Sequence, residues 1–304
     1  MNVSTMVRQV TVTPAMSGFN AQLYAQIGDW TWHAVTRACT TDVLTARTAA
    51  GEPTYLAFYY IHLRGTGAMH PYRLSFGDRV DVVSCVFNAG GESAQTLHRL
   101  SPAGTVDPGG FDWREFYERP LPGCLYVENF NRWVARHGQS GNSGLQRSTP
   151  GDYTHGHLPV VPRQYHPSRA CLVARDRGTF HPWDDSRYTV LLEAFTVRRP
   201  VDVARDFNAV GLMYFAAYIS VVDTALWELW RALGRDSASF LARRIVDQRI
   251  NYAGNAGPDD VLDVTLCLRR ATDDPCREVL DATVQVGERL IAVATVMFRH
   301  DRAL

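Results

Sequence analysis

Lysine is missing from this chain: all 31 of its basic residues are arginine. That absence excludes Schiff-base chemistry on lysine, a pyridoxal-phosphate or biotinyl lysine, and the lysine of a phosphate-binding P-loop. Charge of neither sign is in surplus. The basic residues face 31 acidic ones, so the net charge is zero, which argues against nucleic acid or a membrane surface held through phosphates. Paired-cysteine spacing is lacking as well. Cys39, Cys85, Cys124, Cys171, Cys267 and Cys276 are scattered, a pattern that predicts small buried thiols rather than a zinc site or a disulfide framework. Met1 to Val12 has neither the charged start nor the apolar core of an export signal, so a cytoplasmic protein is expected. No Gly-x-Ser-x-Gly elbow occurs. His155, His157 and His166 lie in a Gly- and Pro-rich stretch without a carboxylate at metal-ligand spacing, so neither a metal nor a cofactor is predicted.

What the chain does have is a run of eleven uncharged residues, Leu212 to Val222. It is shorter than the roughly 20 residues that a bilayer requires. Helix period continues through Leu226, Trp227, Leu229, Trp230 and Leu233 until Gly234 stops it. A helix apolar on nearly every side has to be enclosed by other structure. Before it stands the polar turn Asp206-Phe207-Asn208-Ala209-Val210-Gly211. Helix N-terminal amides lack partners and sit at the positive end of the macrodipole. Gly211 admits an oxygen atom there and Asn208 offers an amide donor, so the turn is a candidate oxyanion site.

The second half has the order strand, long helix, strands. Tyr188 to Val203 leads into the turn and helix; Ile245 to Ala253, Val261 to Arg269, Val279 to Val286 and Leu290 to Phe298 follow, with a hairpin at Gly287-Glu288. The first half reads as a loose copy. Gly18-Phe19-Asn20 opens a helix over Ala21 to Trp32, and strands are predicted at Thr54 to Leu63, Val80 to Asn88 and Gln95 to Leu100. Tyr24 follows Gly18, as Tyr218 follows Gly211, by about two turns. Between the halves, Ser101 to Arg187 reads mostly as connecting loops with one strand, Cys124 to Val127. These readings divide the chain into 1–165 and 166–304.

The segment Asp206 to Tyr218 resembles the helix entry of hot-dog-fold thioesterases: Gly211 and Tyr218 match, Asn208 stands where the acid would be, and Leu212 replaces a histidine. Hydratase-type hot dogs carry Asp-x-Asn, matched by Asp206 and Asn208 without their histidine. Two such halves, with Glu128-Asn129-Phe130-Asn131-Arg132-Trp133 between them, resemble the double-hot-dog family of the leinamycin-pathway bifunctional acyltransferase/decarboxylase. The resemblance implies an α+β double hot dog, two antiparallel sheets each wrapped around a long central helix. It also implies decarboxylation of methylmalonyl-CoA and delivery of the acyl group to an acyl carrier protein in polyketide biosynthesis, with a tyrosine bearing the acyl group.

The matching region is Tyr55-Leu56-Ala57-Phe58-Tyr59-Tyr60-Ile61-His62. Tyr60 is favoured as the acyl acceptor and Tyr59 stays open, because neighbouring strand residues point to opposite faces. A phenol ionises near pH 10, so a nearby arginine is needed, and Arg64, Arg73, Arg132 and Arg147 are candidates. His62 and His70 read either as general acids for the enolate or as packed side chains. Asn208 and Gly211 complete the expected catalytic set; Asn20, Arg132, Asp206 and Leu212 are the expected substrate-binding positions. Decarboxylating a malonyl thioester needs donors at the enolate oxygen and no cofactor beyond the acyl-CoA substrate itself. Rival readings are a hot-dog thioesterase or dehydratase, and a non-catalytic carrier-binding scaffold. A fused pair imitates a single-domain dimer, which leaves a homodimer open.

Overall fold

Leu23, Tyr24, Ile27, Trp30, Thr31, Ala34, Val35 and Cys39 recur at helical spacing, and all eight are buried. They form one side of helix α1, Ala21–Cys39, in a computed structural model that describes residues 5–17, 21–66, 68–136, 141–183 and 185–301. The helix belongs to the first of two compact units, Met1–Pro167 and Ser168–Leu304. Around it run β1 (Thr5–Thr11), β2 (Tyr55–Arg64), β3 (Arg79–Asn88), β4 (Ser93–Pro102) and β5 (Leu125–Arg136). Their spatial order is β1-β3-β4-β5-β2, and β6 (Leu145–Arg147) pairs with the end of β5. Neighbours are antiparallel.

Alternation gives this sheet two faces. Toward α1, Leu56, Val86, Ala94 and Trp133 share a core with Ala34, Val35 and Cys39. On the far face Val83, Cys85, Phe87, Leu97 and Tyr126 pack with Phe111 and Phe116, the latter on the short helix α2, Trp113–Tyr117. Five residues make a marginal helix in isolation, and tethers hold this one. Asp112 accepts the Arg114 and Glu115 amides, and buried Arg99 grips Glu115 at 2.8 Å.

The second unit repeats the plan with β7 (Tyr188–Pro200), β8 (Arg244–Tyr252), β9 (Val261–Ala271), β10 (Arg277–Val286) and β11 (Arg289–Arg299). Counted from its own first strand, its order β7-β9-β10-β11-β8 matches that of the first unit. Helices α3 (Ser168–Arg177), α4 (Val203–Asp206), α5 (Phe215–Ala232) and α6 (Ser237–Ala242) complete it. Helix α5 buries eleven side chains, from Phe215 to Trp230, and Gly234 ends it with φ +71°. Each unit is a hot dog, and the fold is the α+β double hot dog. Among the described residues no helix is long and apolar enough to cross a membrane.

Several expected boundaries moved. The strand expected at Cys124 to Val127 runs on to Arg136; polar residues on both of its faces hide the period of two. Helix α1 continues past Trp32 to Cys39. Helix α5 begins at Phe215 rather than Leu212, because Phe207 and Met213 bridge each other and close the preceding turn. Ser101 to Arg187 holds α2, all of β5, β6 and α3 as well as loops. Gly18, Phe19 and Asn20 lie outside the described residues.

Beneath α1 a polar chain crosses the first core. Asn129 Nδ2 donates to Thr31 Oγ1 at 2.7 Å, and Thr31 Oγ1 donates to the Ile27 carbonyl at 2.8 Å. His98 Nε2, 2.9 Å from Thr31 Oγ1, is therefore the protonated nitrogen, and Nδ1 accepts from Ser84 Oγ at 2.8 Å. Burial holds this imidazole neutral, its pKa pushed down to about 3. Ser84 and His98 are enclosed in the core, which suits a packing role rather than nucleophilic catalysis. Asn131 lies two residues along β5, and neither of its side-chain atoms has a hydrogen-bond partner. An unsatisfied buried amide costs about 1–3 kcal/mol. Asn131→Leu should accordingly raise the thermal midpoint, whereas Asn129→Leu, which breaks the Thr31 bond, should lower it.

In the second unit Glu278 is fully buried. Arg235 donates to it twice, at 2.8 and 2.7 Å, Arg270 at 2.8 Å, and His300 Nε2 lies 3.2 Å away. Burial works to raise this carboxyl, but bonds from His300, Arg235 and Arg270 outweigh it and hold it at about 2. A depressed folded-state pKa stabilises fully above the unfolded value near 4.5, and that stability drains as pH falls toward 2. Urea titrations should show a loss of roughly 3 kcal/mol across this window. Glu278→Gln should flatten that dependence and cost about 3–5 kcal/mol at neutral pH by stranding the arginines.

Candidate active site

Strand β2 carries two tyrosines in succession, and its pairing with β5 decides where they point. Phe58 pairs with Asn131 and Tyr60 with Phe130, leaving Tyr59 as an extra residue in a β-bulge. A bulge breaks the strict alternation of a strand. Tyr59 consequently shares the far face with Tyr60 instead of opposing it. Its ring stands edge-on to Phe130 at 5.9 Å, and the Arg132 guanidinium lies 3.5 Å above the ring centre. Tyr60 lies 6.3 Å from the His62 ring, centre to centre. The expectation that the two tyrosines face opposite ways is corrected by this bulge.

Below them on the same face lies a buried polar group. His62 pairs in register with Glu128, whose side chain is only 3% exposed, and His62 Nδ1 is 3.9 Å from Glu128 Oε2. Glu128 Oε1 accepts from Tyr117 Oη at 2.7 Å and from Gln95 Nε2 at 2.6 Å. Gln95 also donates to Tyr117 Oη at 3.0 Å. Burial first, and then the neighbouring Glu128 charge, push the Tyr117 phenol well above its ordinary pKa, so it remains a donor. Tyr117 comes from α2 and stacks on Tyr165 at 4.3 Å. Phe116, beside it, stands edge-on to His62 at 6.2 Å.

Arg132 borders this group on the β5 side. Its Nε is buried and has no hydrogen-bond partner. Burial lowers its pKa, against the opposing influence of Tyr59, yet a guanidinium stays charged at any physiological pH. His166 packs edge-on to Phe130 at 4.9 Å, and burial followed by the charges of Arg132 and Arg163 lowers its pKa. The guanidinium therefore presents an unpartnered Nε beside the Tyr59 phenol, within electrostatic reach of the His166 imidazole.

The turn in the second unit behaves differently from the expectation. Asn208 Oδ1 accepts the Val210 and Leu212 amides at 3.2 and 3.0 Å, and the Gly211 amide donates to the Asn208 carbonyl at 3.0 Å. The Met213 amide donates to Asn255 Oδ1, and the Tyr214 amide to the Asp206 carbonyl. Asn208 and Gly211 thus build a closed turn, and their expected role as an open oxyanion site is corrected: the amides are already engaged, four residues before the helix begins. Gly211, with φ +74°, is there because a side chain is strained in that conformation. Asp206, expected to bind substrate, is buried and holds Arg199 at 3.0 Å and the Asp202 amide at 2.8 Å. Leu212 is a buried core residue. Asn20 lies outside the described residues.

Of the expected residues, Tyr59, Tyr60 and Arg132 come together on one face of the first unit. Gln95, Tyr117 and Glu128 were not singled out, and His62 was left open. Glu128, Phe130 and Arg132 stand at alternate positions, as do Tyr60 and His62, so a period of two was the signal for one shared face. Among the described residues no cluster of His, Cys, Asp or Glu is placed to hold a metal, and all six cysteines are free thiols.

Similar folds occur in solved structures. A putative oleoyl thioesterase from Lactobacillus plantarum superposes with a TM-score of 0.62 at 10% identity, covering 98% of this chain and 97% of its own. The 12:0-ACP thioesterase of Umbellularia californica gives 0.59 at 12%, over 98% and 94%. An acyl-ACP thioesterase from Bacteroides thetaiotaomicron VPI-5482 gives 0.56 at 10%, over 97% and 98%. At such identities the likeness is one of fold alone. No curated protein sequence matches the chain significantly. The family model for the LnmK N-terminal hot dog fold domain matches residues 7–182, more than half of the chain. With the repeated strand order and the paired tyrosines of β2 beside it, that match makes the chain a member of the LnmK-type hot-dog family.

Proposed function

We propose that this protein is an acyl-thioester enzyme that decarboxylates a malonyl-type CoA, methylmalonyl-CoA foremost, and passes the acyl group to an acyl carrier protein in polyketide assembly. The observation that carries the reading is the bulge at Tyr59, which gathers two phenols and the Arg132 cation on one sheltered face. Loss of CO₂ breaks the bond between the carboxylate carbon and the α-carbon, and the electron pair passes into the thioester carbonyl as an enolate. A fixed donor at that oxygen lowers the barrier. The buried, unpartnered Nε of Arg132 is such a donor, and it replaces the turn amides in that role.

Once a proton from solvent has reached the α-carbon, Tyr60 Oη attacks the thioester carbonyl, the C–S bond breaks, and CoA leaves as the thiol with the proton the phenol gives up. The carrier thiol then takes the acyl group from the tyrosyl ester. Tyr60 is only 3% exposed, and exclusion of water protects an ester while the carrier arrives. Tyr59, beneath the guanidinium, orients Arg132. The absence of the hydrolytic acid and histidine from the second-unit turn, where Asn208 and Leu212 stand instead, fits transfer better than hydrolysis.

Incubation with methylmalonyl-CoA should release CO₂ and leave an acyl adduct that peptide mass spectrometry locates on Tyr60. Tyr60→Phe should abolish the adduct and slow transfer on the order of 10³-fold or more, while Tyr59→Phe keeps the adduct. Arg132→Met should slow decarboxylation on the order of 10²-fold. Thioester hydrolysis without an adduct would move the assignment to a hot-dog thioesterase; neither CO₂ nor adduct would end it.

A further inference from the structure

We propose that His62 is the catalytic base of acyl transfer at Tyr60 and that Glu128 is its positioning residue. The inference rests on the reading that Tyr60 carries the acyl group. A phenol with an ordinary pKa near 10 is almost entirely protonated at neutral pH, so its attack on a thioester needs a group that takes the proton. Two such groups adjoin Tyr60 on its own face: the His62 imidazole, 6.3 Å from its ring centre to centre, and the Glu128 carboxylate, paired in register with His62.

The geometry divides the work between them. Glu128 Oε1 already receives two hydrogen bonds, from Tyr117 at 2.7 Å and Gln95 at 2.6 Å, which fix the carboxylate on its strand. Its Oε2 faces His62 Nδ1 at 3.9 Å, a distance that a small side-chain adjustment on substrate binding closes to a hydrogen bond. A carboxylate on Nδ1 favours the tautomer with its proton there, which leaves Nε2 as the basic nitrogen. This is the division of roles in nucleophile–histidine–acid triads, with a phenol in place of the serine. The edge-on contact of Phe116 at 6.2 Å restricts the imidazole ring. A buried carboxylate costs several kcal/mol in lost hydration, and the Tyr117 and Gln95 donors offset part of that cost.

The step balances. As Tyr60 Oη bonds to the acyl carbon, its proton moves to His62 Nε2; the C–S bond breaks, and the departing thiolate takes that proton to leave as CoA thiol. In the second half the carrier thiol gives its proton to Nε2, its sulfur attacks the ester, and Tyr60 recovers the proton as the C–O bond breaks.

Rapid-mix mass spectrometry of acyl-tyrosine formation, run beside CO₂ release, tests this. His62→Ala should slow acylation on the order of 10²-fold or more with KM for the acyl-CoA unchanged, and added imidazole should restore part of the rate. Glu128→Gln should slow the same step by about tenfold or more, and Glu128→Asp less. Urea midpoints within error of the parent establish that each variant is folded; where His62→Ala is not, His62→Gln takes its place. Acylation by folded His62 and Glu128 variants at the parental rate would overturn the proposal while leaving Tyr60 as acceptor. A parent protein that forms no adduct would overturn both.

Discussion

Burial of a helix that is apolar around most of its circumference is the constraint on which this protein is built. Neither α1 nor α5 can keep its side chains from water without a sheet curled over it, and each half supplies five antiparallel strands in one spatial order. Once one face of a sheet is committed to its helix, the other face is what remains for chemistry. In the first unit α2 and its flanking loops cover that far face. Covering it buries Tyr60, His62 and Glu128 on that face, with Arg132 over the Tyr59 ring farther along β5.

Two small departures from regularity then decide what that face carries. The bulge at Tyr59 adds one residue to β2 and brings both tyrosines to the same side. The Asp112 cap and the Arg99–Glu115 ion pair hold a five-residue helix in place, and that helix delivers Tyr117 to Glu128. By contrast, the turn before α5 satisfies itself: the Asn208 side chain and carbonyl absorb the Val210, Gly211 and Leu212 amides. That turn is a self-contained loop whose amides are already engaged.

Polar burial separates structural from chemical groups in this molecule. Ser84, His98, Thr31 and Asn129 hand hydrogen bonds to one another under α1 and hold the imidazole neutral. Glu278, Asp281 and Asp206 each take an arginine. Such groups are held by fixed partners and have little freedom to exchange protons. Arg132 Nε and both side-chain atoms of Asn131 are left without partners in the interior, a condition that native proteins tolerate sparingly.

Composition and periodicity by themselves determined a great deal. The all-round apolar helix ended by Gly234 and the β-branched runs after it were enough for a helix wrapped by antiparallel strands, and the likeness of the Asp206 to Tyr218 entry and of the two halves to a known family supplied the double hot dog. The reason is that helix and strand periods are local, written within a dozen residues. The extension of β5 through Asn129 and Asn131 was masked because polar side chains occupy both of its faces. Which tyrosine faces which neighbour, the meeting of His62 with Glu128, and the engagement of the Gly211 amide were decided only by tertiary structure. Each depends on pairing between segments tens of residues apart or on which acceptor an amide finds, and a one-residue slip or bulge reverses the outcome without changing the local pattern.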